Sequence, residues 1–215
     1  MKITRRKIPI PDKDPNFLLG NFLELGLVAK ASVVGEVIKR AEREARQEDT
    51  LDRIQYTWQR QELNASSYGG TGVDLLTLGG HEERSLENDI LSLSTMLQAS
   101  RNDSGDTVAP ATVDFHRKRA LELQETLVCL KELLQSLSRV QGLWMSLLSV
   151  FDTEEVRQDL ALDSKTFREA DSSFRFVVGR MQKIKYALKI AKEEGIASKL
   201  TALVEKLERC KKAIW

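Results

Sequence analysis

Proline is confined to two places in this sequence of 215 residues, and its distribution constrains the fold more than any other feature. Pro9, Pro11 and Pro15 lie near the start, and the fourth proline is Pro110. A proline inside a helix costs about 3 kcal/mol. The proline-free stretches 16–109 and 111–215 therefore have room for long uninterrupted helices.

Apolar residues recur in steps of three and four along these stretches, which is the period of an amphipathic helix. The longest apolar stripe runs from Leu123 to Phe151 and predicts a helix of roughly 40 residues, about 60 Å long. Further stripes lie at 34–58, 86–97, 167–188 and 200–214. No helix buries its stripe alone, so neighbouring helices must pack side by side. The fold class we predict is mainly α, an elongated multi-helix bundle or rod with one small β-hairpin.

Two breaks interrupt the helical pattern. The first is the glycine-rich segment 64–72, and the short runs Gln61–Ala65 and Val73–Leu78 on either side predict the two strands of the hairpin. The second is the polar, turn-rich stretch 101–110. The predicted organisation has four parts: 1–15, a flexible basic N-terminal segment; 16–100, a first helical subdomain with the hairpin near 61–78; 101–110, a loop; and 111–215, a second subdomain of long helices.

Several residues are typical of helix ends. Asp152 is a candidate N-cap, followed by carboxylates that suit the positive end of the helix dipole. Asp163 and Ser164 are predicted to cap the helix that carries Phe167. Gly195 is predicted to separate the last helix from the one before it.

The charge balance excludes some classes of partner. The sequence has 33 Lys and Arg against 32 Asp and Glu, so we expect neither general nucleic-acid binding nor attachment to an anionic membrane. No apolar run approaches the roughly 20 residues that a membrane-spanning helix requires. The basic start lacks the apolar segment of a secretory signal. Cys129 and Cys210 form no disulfide framework, and we expect a soluble, intracellular protein.

No constellation in the sequence points to catalysis, so we expect no catalytic, cofactor-binding or metal-binding residues. The segment Tyr68–Val73 is glycine-rich but lacks the Gly-Lys-Ser/Thr ending of a phosphate loop, so it predicts a hairpin turn. His81 and His116 have no partner at ligand spacing and are expected on solvated helix surfaces. Cys129 and Cys210 are expected to be small core residues.

The cations Arg117, Lys118 and Arg119 form a small basic patch. A solvated helix face is the ordinary interpretation of such a patch, and docking of an acidic partner surface is the alternative.

The order and spacing of residues over about 12–215 resemble the linker region of dynein heavy chains. The stretch Phe17–Leu27 is similar to the Leu-Gly-Leu motif with which the linker begins in this family. The helix from Glu42 to Trp58 is similar to the helix that follows that motif. Ala99–Arg101 resembles an Ala-Ser-Arg that precedes a loop in the family. The most specific part is a set of eight positions: Gln141, Trp144, Leu147, Phe151, Glu154, Leu160, Phe167 and Asp171. Leu137, Ala161 and Phe174 replace residues that are usual in the family, namely Trp, Pro and Trp.

The resemblance implies a fragment of a much longer motor that ends inside the linker. It implies a mechanical element without activity of its own, which couples the cycle of a downstream ring of AAA+ ATPase modules to force production along microtubules. ATP and magnesium are implied for the parent ring and none for this fragment. The implied partner is the ring of the same heavy chain, with the microtubule reached indirectly and the intermediate and light-intermediate chains bound elsewhere. The implied location is the cytoplasm and cytoskeleton, or the axoneme of a cilium or flagellum.

A non-motor helical scaffold or tether, similar to spectrin, is the alternative that the helical stripes leave open. It explains neither the Gln141–Asp171 spacing nor the hairpin. Under the linker interpretation, we hypothesise that a compliant junction lies near the 101–110 loop or the hairpin. Hydrogen exchange tests this hypothesis, and amides there that are better protected than those of the long helices would contradict it.

Overall fold

The fold is described from a computed structural model that covers residues 31–102 and 111–214. The predicted basic segment 1–15, the Phe17–Leu27 motif and positions 103–110 of the predicted loop lie outside the described residues. The chain divides into two compact units, Met1–Gln47 and Glu48–Trp215. In the first unit, the described residues 31–47 are helical. The boundaries of the predicted subdomains stay predictions.

The described residues are mainly helical, and two short strands form one hairpin. In chain order the elements are α1 (Ala31–Arg60), β1 (Asn64–Ser67), β2 (Asp74–Thr77), α2 (Gly80–Asn102), α3 (Ala111–Phe151), α4 (Glu154–Asp159), α5 (Ala161–Ile184), α6 (Ala187–Lys192) and α7 (Ile196–Ile214). The predicted mainly α bundle with one hairpin is confirmed. Helix α3 has 41 residues, close to the roughly 40 that were predicted, and the apolar stripe Leu123–Phe151 covers its last 29 residues.

The hairpin is antiparallel, and it pairs Ala65 with Leu76 and Ser67 with Asp74. Gly69, Gly70 and Gly72 have positive φ angles in its turn, where residues with a side chain are strained. The predicted first strand, Gln61–Ala65, was placed about three residues too early. The reason is that the preceding backbone pairs elsewhere: the Gln61 carbonyl accepts a hydrogen bond from the Ala187 amide at 2.8 Å, and Glu62 bridges to Tyr186.

Two hydrophobic cores lie in the second unit, and helix α3 contributes to both. Its first half packs in one core with α2, α6 and the part of α1 from Leu51 to Trp58, and its second half packs in the other core with β2, α5, α7 and Ile190 of α6. The α3 side chains of the first core are Ala120, Leu123, Leu127 and Leu130; those of the second are Leu133, Leu137, Val140, Trp144, Leu147 and Phe151. Because α3 continues without a break between the cores, bending there would disturb the helix itself.

One of the predicted helix ends is confirmed and one was wrong. Gly195 separates α6 from α7 with a φ of 82°, as the sequence predicted. The N-cap prediction for Asp163 and Ser164 was wrong, because α5 begins at Ala161 and its N-cap is Leu160. The Ser164 amide already donates to the Leu160 carbonyl at 2.8 Å, so Asp163 lies in the first turn rather than before it. A carboxylate in the first turn still suits the helix dipole.

The junction between α5 and α6 is a strained turn centred on Lys185, which has a φ of 64° and a ψ of −52°. The Tyr186 amide donates to the Ile184 carbonyl at 2.8 Å, which closes a three-residue γ-turn of the rare positive-φ kind. A residue with a Cβ atom is disfavoured in this conformation. The turn lets the chain leave α5 and bring Ala187 to the Gln61 carbonyl.

Replacing Lys185 with glycine should raise the free energy of unfolding by about 1 kcal/mol. Relief of the backbone strain, at about 1–3 kcal/mol, outweighs the conformational freedom that glycine adds to the unfolded chain, about 0.5–1 kcal/mol. Urea unfolding measures the change. Lys165→Gly, an exposed position inside α5, is the control and should lower stability by about 1 kcal/mol. Equal losses in both variants would contradict a strained turn.

Candidate functional site

The most specific polar contact of the hairpin is made by a helix side chain. Gln141 on α3 is only 5% exposed, and its Oε1 accepts a hydrogen bond from the Leu76 amide at 2.7 Å. Its Nε2 donates to the Leu76 carbonyl oxygen at 3.1 Å. Strand β2 has one strand neighbour, so its other edge needs partners for its backbone groups. The amide of Gln141 satisfies that edge as a peptide group of a third strand would.

A second set of bonds links α3, α5 and the hairpin turn. The indole N–H of Trp144 donates to Asp171 Oδ1 at 2.8 Å. The Nε of Arg175 donates to both oxygens of Asp171, at 3.0 and 2.9 Å. The Nη1 of Arg175 donates to the Thr71 carbonyl oxygen at 2.8 Å. Arg175 thus connects a helix-to-helix bond with the tip of the hairpin.

Further contacts complete what we term the hairpin clamp, which consists of Gln141, Trp144, Asp171, Arg175 and Gln182. The Nε2 of Gln182 donates to Asp74 Oδ2 at 2.7 Å, so α5 also holds the start of β2. The ring of Tyr68 meets the Trp144 ring edge-on, with centroids 5.7 Å apart. The aromatic contact and the hydrogen bonds act on the same short segment.

Burial decides which contact of the clamp matters most. The side chains of Asp171 and Arg175 are 22% and 38% exposed, so solvent screens their attraction and this ion pair contributes modestly. The hydrogen bonds between Gln141 and Leu76 are buried. Without the Gln141 side chain, the Leu76 amide and carbonyl would have neither a protein partner nor water to bond to. Gln141 is therefore the energetic centre of the hairpin clamp.

The first core has a smaller polar contact of the same kind. Asp89 on α2 is 4% exposed, and its Oδ2 accepts a hydrogen bond from the indole N–H of Trp58 at 2.9 Å. Its Oδ1 lies 3.2 Å from Arg53 Nη2. This contact ties α1 to α2, and Arg119 on α3 ties α3 to Gln55 of α1.

The eight positions that carried the resemblance are brought together only in part. Gln141, Trp144 and Asp171 lie in the hairpin clamp, and the buried rings of Phe151 and Phe167 stack with centroids 5.0 Å apart. Glu154, in contrast, is exposed at the start of α4. Sequence reasoning missed the clamp members Arg175 and Gln182. The spacing of Arg175 four residues after Asp171 was a usable signal for an ion pair, whereas nothing in the sequence singled out Gln182.

The histidines and cysteines are spread over α2, α3 and α7. His81 is exposed at the start of α2, as predicted, whereas the expectation for His116 was wrong, because it is half-buried in the first turns of α3. Cys129 is half-buried, with its Sγ 3.5 Å from the Ala191 carbonyl oxygen. Within residues 31–102 and 111–214, no group of three or more His, Cys, Asp or Glu side chains is arranged to hold a metal ion.

Cys210 is fully buried in the second core. Burial raises the pKa of its thiol above the ordinary value of 9.0, and the charge of Asp163 raises it further. The buried environment thus favours the neutral thiol, and the burial of Cys210 agrees with its predicted place as a small core residue. Among the helices that the structure describes, none is both long and apolar enough to cross a bilayer.

Replacing Gln141 with leucine should lower the free energy of unfolding by about 3 kcal/mol, because the Leu76 amide and carbonyl would lose their partner in a buried place. Exchange of the Leu76 amide hydrogen should become faster in this variant. Urea unfolding and hydrogen exchange measure the two effects. Gln135→Leu, an exposed position on the same helix, is the matched control and should change stability within about 0.5 kcal/mol. Equal effects of the two variants would contradict the role of Gln141.

Comparison with known proteins places the chain in a family. The family model described as "Dynein heavy chain, N-terminal region 2" matches residues 1–214. The chain is 26% identical over 203 residues to the dynein alpha chain of the flagellar outer arm from Chlamydomonas reinhardtii, a match that covers 94% of this chain. It is 28% identical over 201 residues to dynein axonemal heavy chain 2 from Homo sapiens, which covers 93% of this chain.

In both cases the chain spans only 4% of the relative's own length. The match by the family model extends over nearly the whole sequence. The chain belongs to the dynein heavy chain family and is a segment of that family's N-terminal region 2.

Proposed function

We propose that this segment is a mechanical linker that transmits the ATPase cycle of an AAA+ ring, elsewhere in the same heavy chain, to movement along microtubules. The observation that carries the proposal is that α3 takes part in both hydrophobic cores of the second unit. A lever must resist bending along its length. A continuous helix packed in two cores supplies that resistance, because bending would cost packing as well as helix geometry.

The hairpin clamp and the contacts of Asp89 support the same role. The hairpin clamp fixes the hairpin to α3 and α5, and the bonds of Asp89 fix α1 to α2. Buried, directional contacts between elements limit the sliding of one helix past another. An element built this way passes a displacement on instead of absorbing it.

In this proposal the segment itself catalyses nothing and binds no cofactor, and ATP and magnesium act in the ring. The ring of the same heavy chain is its main partner, and the intermediate and light-intermediate chains bind elsewhere on the parent. The relatives are named as flagellar outer-arm and axonemal chains, so we propose the axoneme of a cilium or flagellum as the location.

Softening α3 between the two cores should uncouple ATP hydrolysis from movement. Glu132 and Gln135 are exposed and lie near the boundary between the cores. Changing both to glycine weakens the helix by about 1 kcal/mol at each position without removing a buried side chain. In the full heavy chain, microtubule gliding should become slower while the rate of ATP hydrolysis stays unchanged.

The matched control changes both residues to alanine, which keeps the helix stiff. Two outcomes contradict the proposal: gliding and hydrolysis falling in equal proportion, or the glycine and alanine variants moving microtubules equally fast. Reading the parent gene for repeated Gly-x-x-x-x-Gly-Lys-Ser/Thr modules downstream of this segment is an independent test, because a lever needs a motor and a scaffold does not.

A further inference from the structure

A cationic cleft lies where the end of α1 meets α6. Its volume is about 520 Å³, and its lining includes Arg60 on α1 and Lys189 and Lys192 on α6. The neighbouring backbones are fixed to each other by the bond from the Ala187 amide to the Gln61 carbonyl and by the bridge between Glu62 and Tyr186. The three cations are therefore held around one space and do not belong to independent loops.

None of these three cations forms an ion pair with any residue that the structure describes. The nearby Glu193 is bound to Arg180, and Glu62, which bridges to Tyr186 of the cleft, forms no salt bridge with a described residue. Elsewhere in the second unit, cations such as Lys131, Arg139 and Arg175 do pair with carboxylates. A group of unpaired cations around one cleft produces a positive potential that attracts an acidic partner.

Tyrosine rings restrain two of the cations. The guanidinium carbon of Arg60 lies 4.1 Å from the centroid of the Tyr56 ring, and Arg60 also donates to the Tyr56 hydroxyl. The Nζ of Lys189 lies 5.1 Å from the centroid of the Tyr186 ring. Cation–π contacts of this kind reduce the freedom that a side chain would otherwise lose on binding.

The lining of the cleft also has an apolar part, formed by the half-buried Tyr186 and the buried Leu188. We propose that this cleft binds an acidic segment of a partner protein, with carboxylates at the three cations and an apolar side chain against Tyr186 and Leu188. A protein partner fits better than a nucleic acid or a membrane, which bind extended basic surfaces, since the whole chain carries 33 basic and 32 acidic residues. This inference does not depend on the linker role.

The test uses the 215-residue chain and a fluorescein-labelled peptide in which glutamate and leucine residues alternate. Binding is followed by fluorescence anisotropy at low and at physiological ionic strength. The test variant combines Arg60→Gln, Lys189→Gln and Lys192→Gln. The control combines Lys165→Gln, Lys211→Gln and Lys212→Gln, which removes the same charge from exposed positions elsewhere. The cleft variant should bind about tenfold more weakly, and the control should bind as the unchanged chain does.

Chemical coupling on the unchanged chain gives a second readout that needs no variant to fold. Activating the peptide carboxylates with a carbodiimide should join the peptide to Lys189 and Lys192, identified by mass spectrometry, in preference to the lysines of the control. Equal weakening by both triple variants, or coupling without preference, would overturn the proposal. Cleft-dependent binding of heparin or phosphatidylserine vesicles without binding of the peptide would overturn the assignment to a protein partner.

Discussion

Helix α3 contributes apolar side chains to two successive hydrophobic cores. Most of the other elements that the structure describes in the second unit pack with α3 in one or both of these cores. The helix packs with the Leu51–Trp58 part of α1 and with α2 at its first half, and with β2, α5 and α7 at its second half, while α6 contributes to both cores. Most of the stability of a protein helix comes from the packing of its apolar face, and α3 packs in this way over most of its 41 residues. Because both cores use the same helix, packing lost in one core removes support from the helix on which the other depends.

The hairpin shows how a weak element becomes a fixed one. Two strands of four residues are marginal in isolation, and the first strand is exposed. The second strand is held because Gln141 occupies its free edge and Leu76 enters the core. Arg175 and Gln182 then hold the turn and the start of the second strand from α5. The hairpin thereby becomes part of the bundle surface between α3 and α5.

Local patterns predicted most of the elements, whereas long-range polar contacts escaped prediction. The apolar stripe at 167–188 was wrong as a single helix, because the turn at Lys185 divides it between α5 and α6. The apolar stripe of α3 is long enough for its period to be unambiguous, and the glycines of the hairpin turn left few alternatives. The family resemblance singled out Gln141 and Asp171 without showing what they bind. The contacts Arg175–Thr71 and Gln182–Asp74 join residues 104 and 108 positions apart, and no local pattern encodes such a pair. The start of α5 was misplaced because a carboxylate favours both the N-cap and the first turn, and only the bond to Leu160 distinguishes them.

The proposed linker role requires that α3 stays straight and stiff while the heavy chain moves. Spin labels introduced through unnatural amino acids at Glu122 and Ser146, exposed positions associated with the two cores, would measure this directly in the full heavy chain by pulsed electron resonance. We expect one narrow distance distribution near ~36 Å, from 1.5 Å of rise per residue, that is the same without nucleotide and with ADP and vanadate bound. A second distance, or a broadening that depends on the nucleotide, would contradict it.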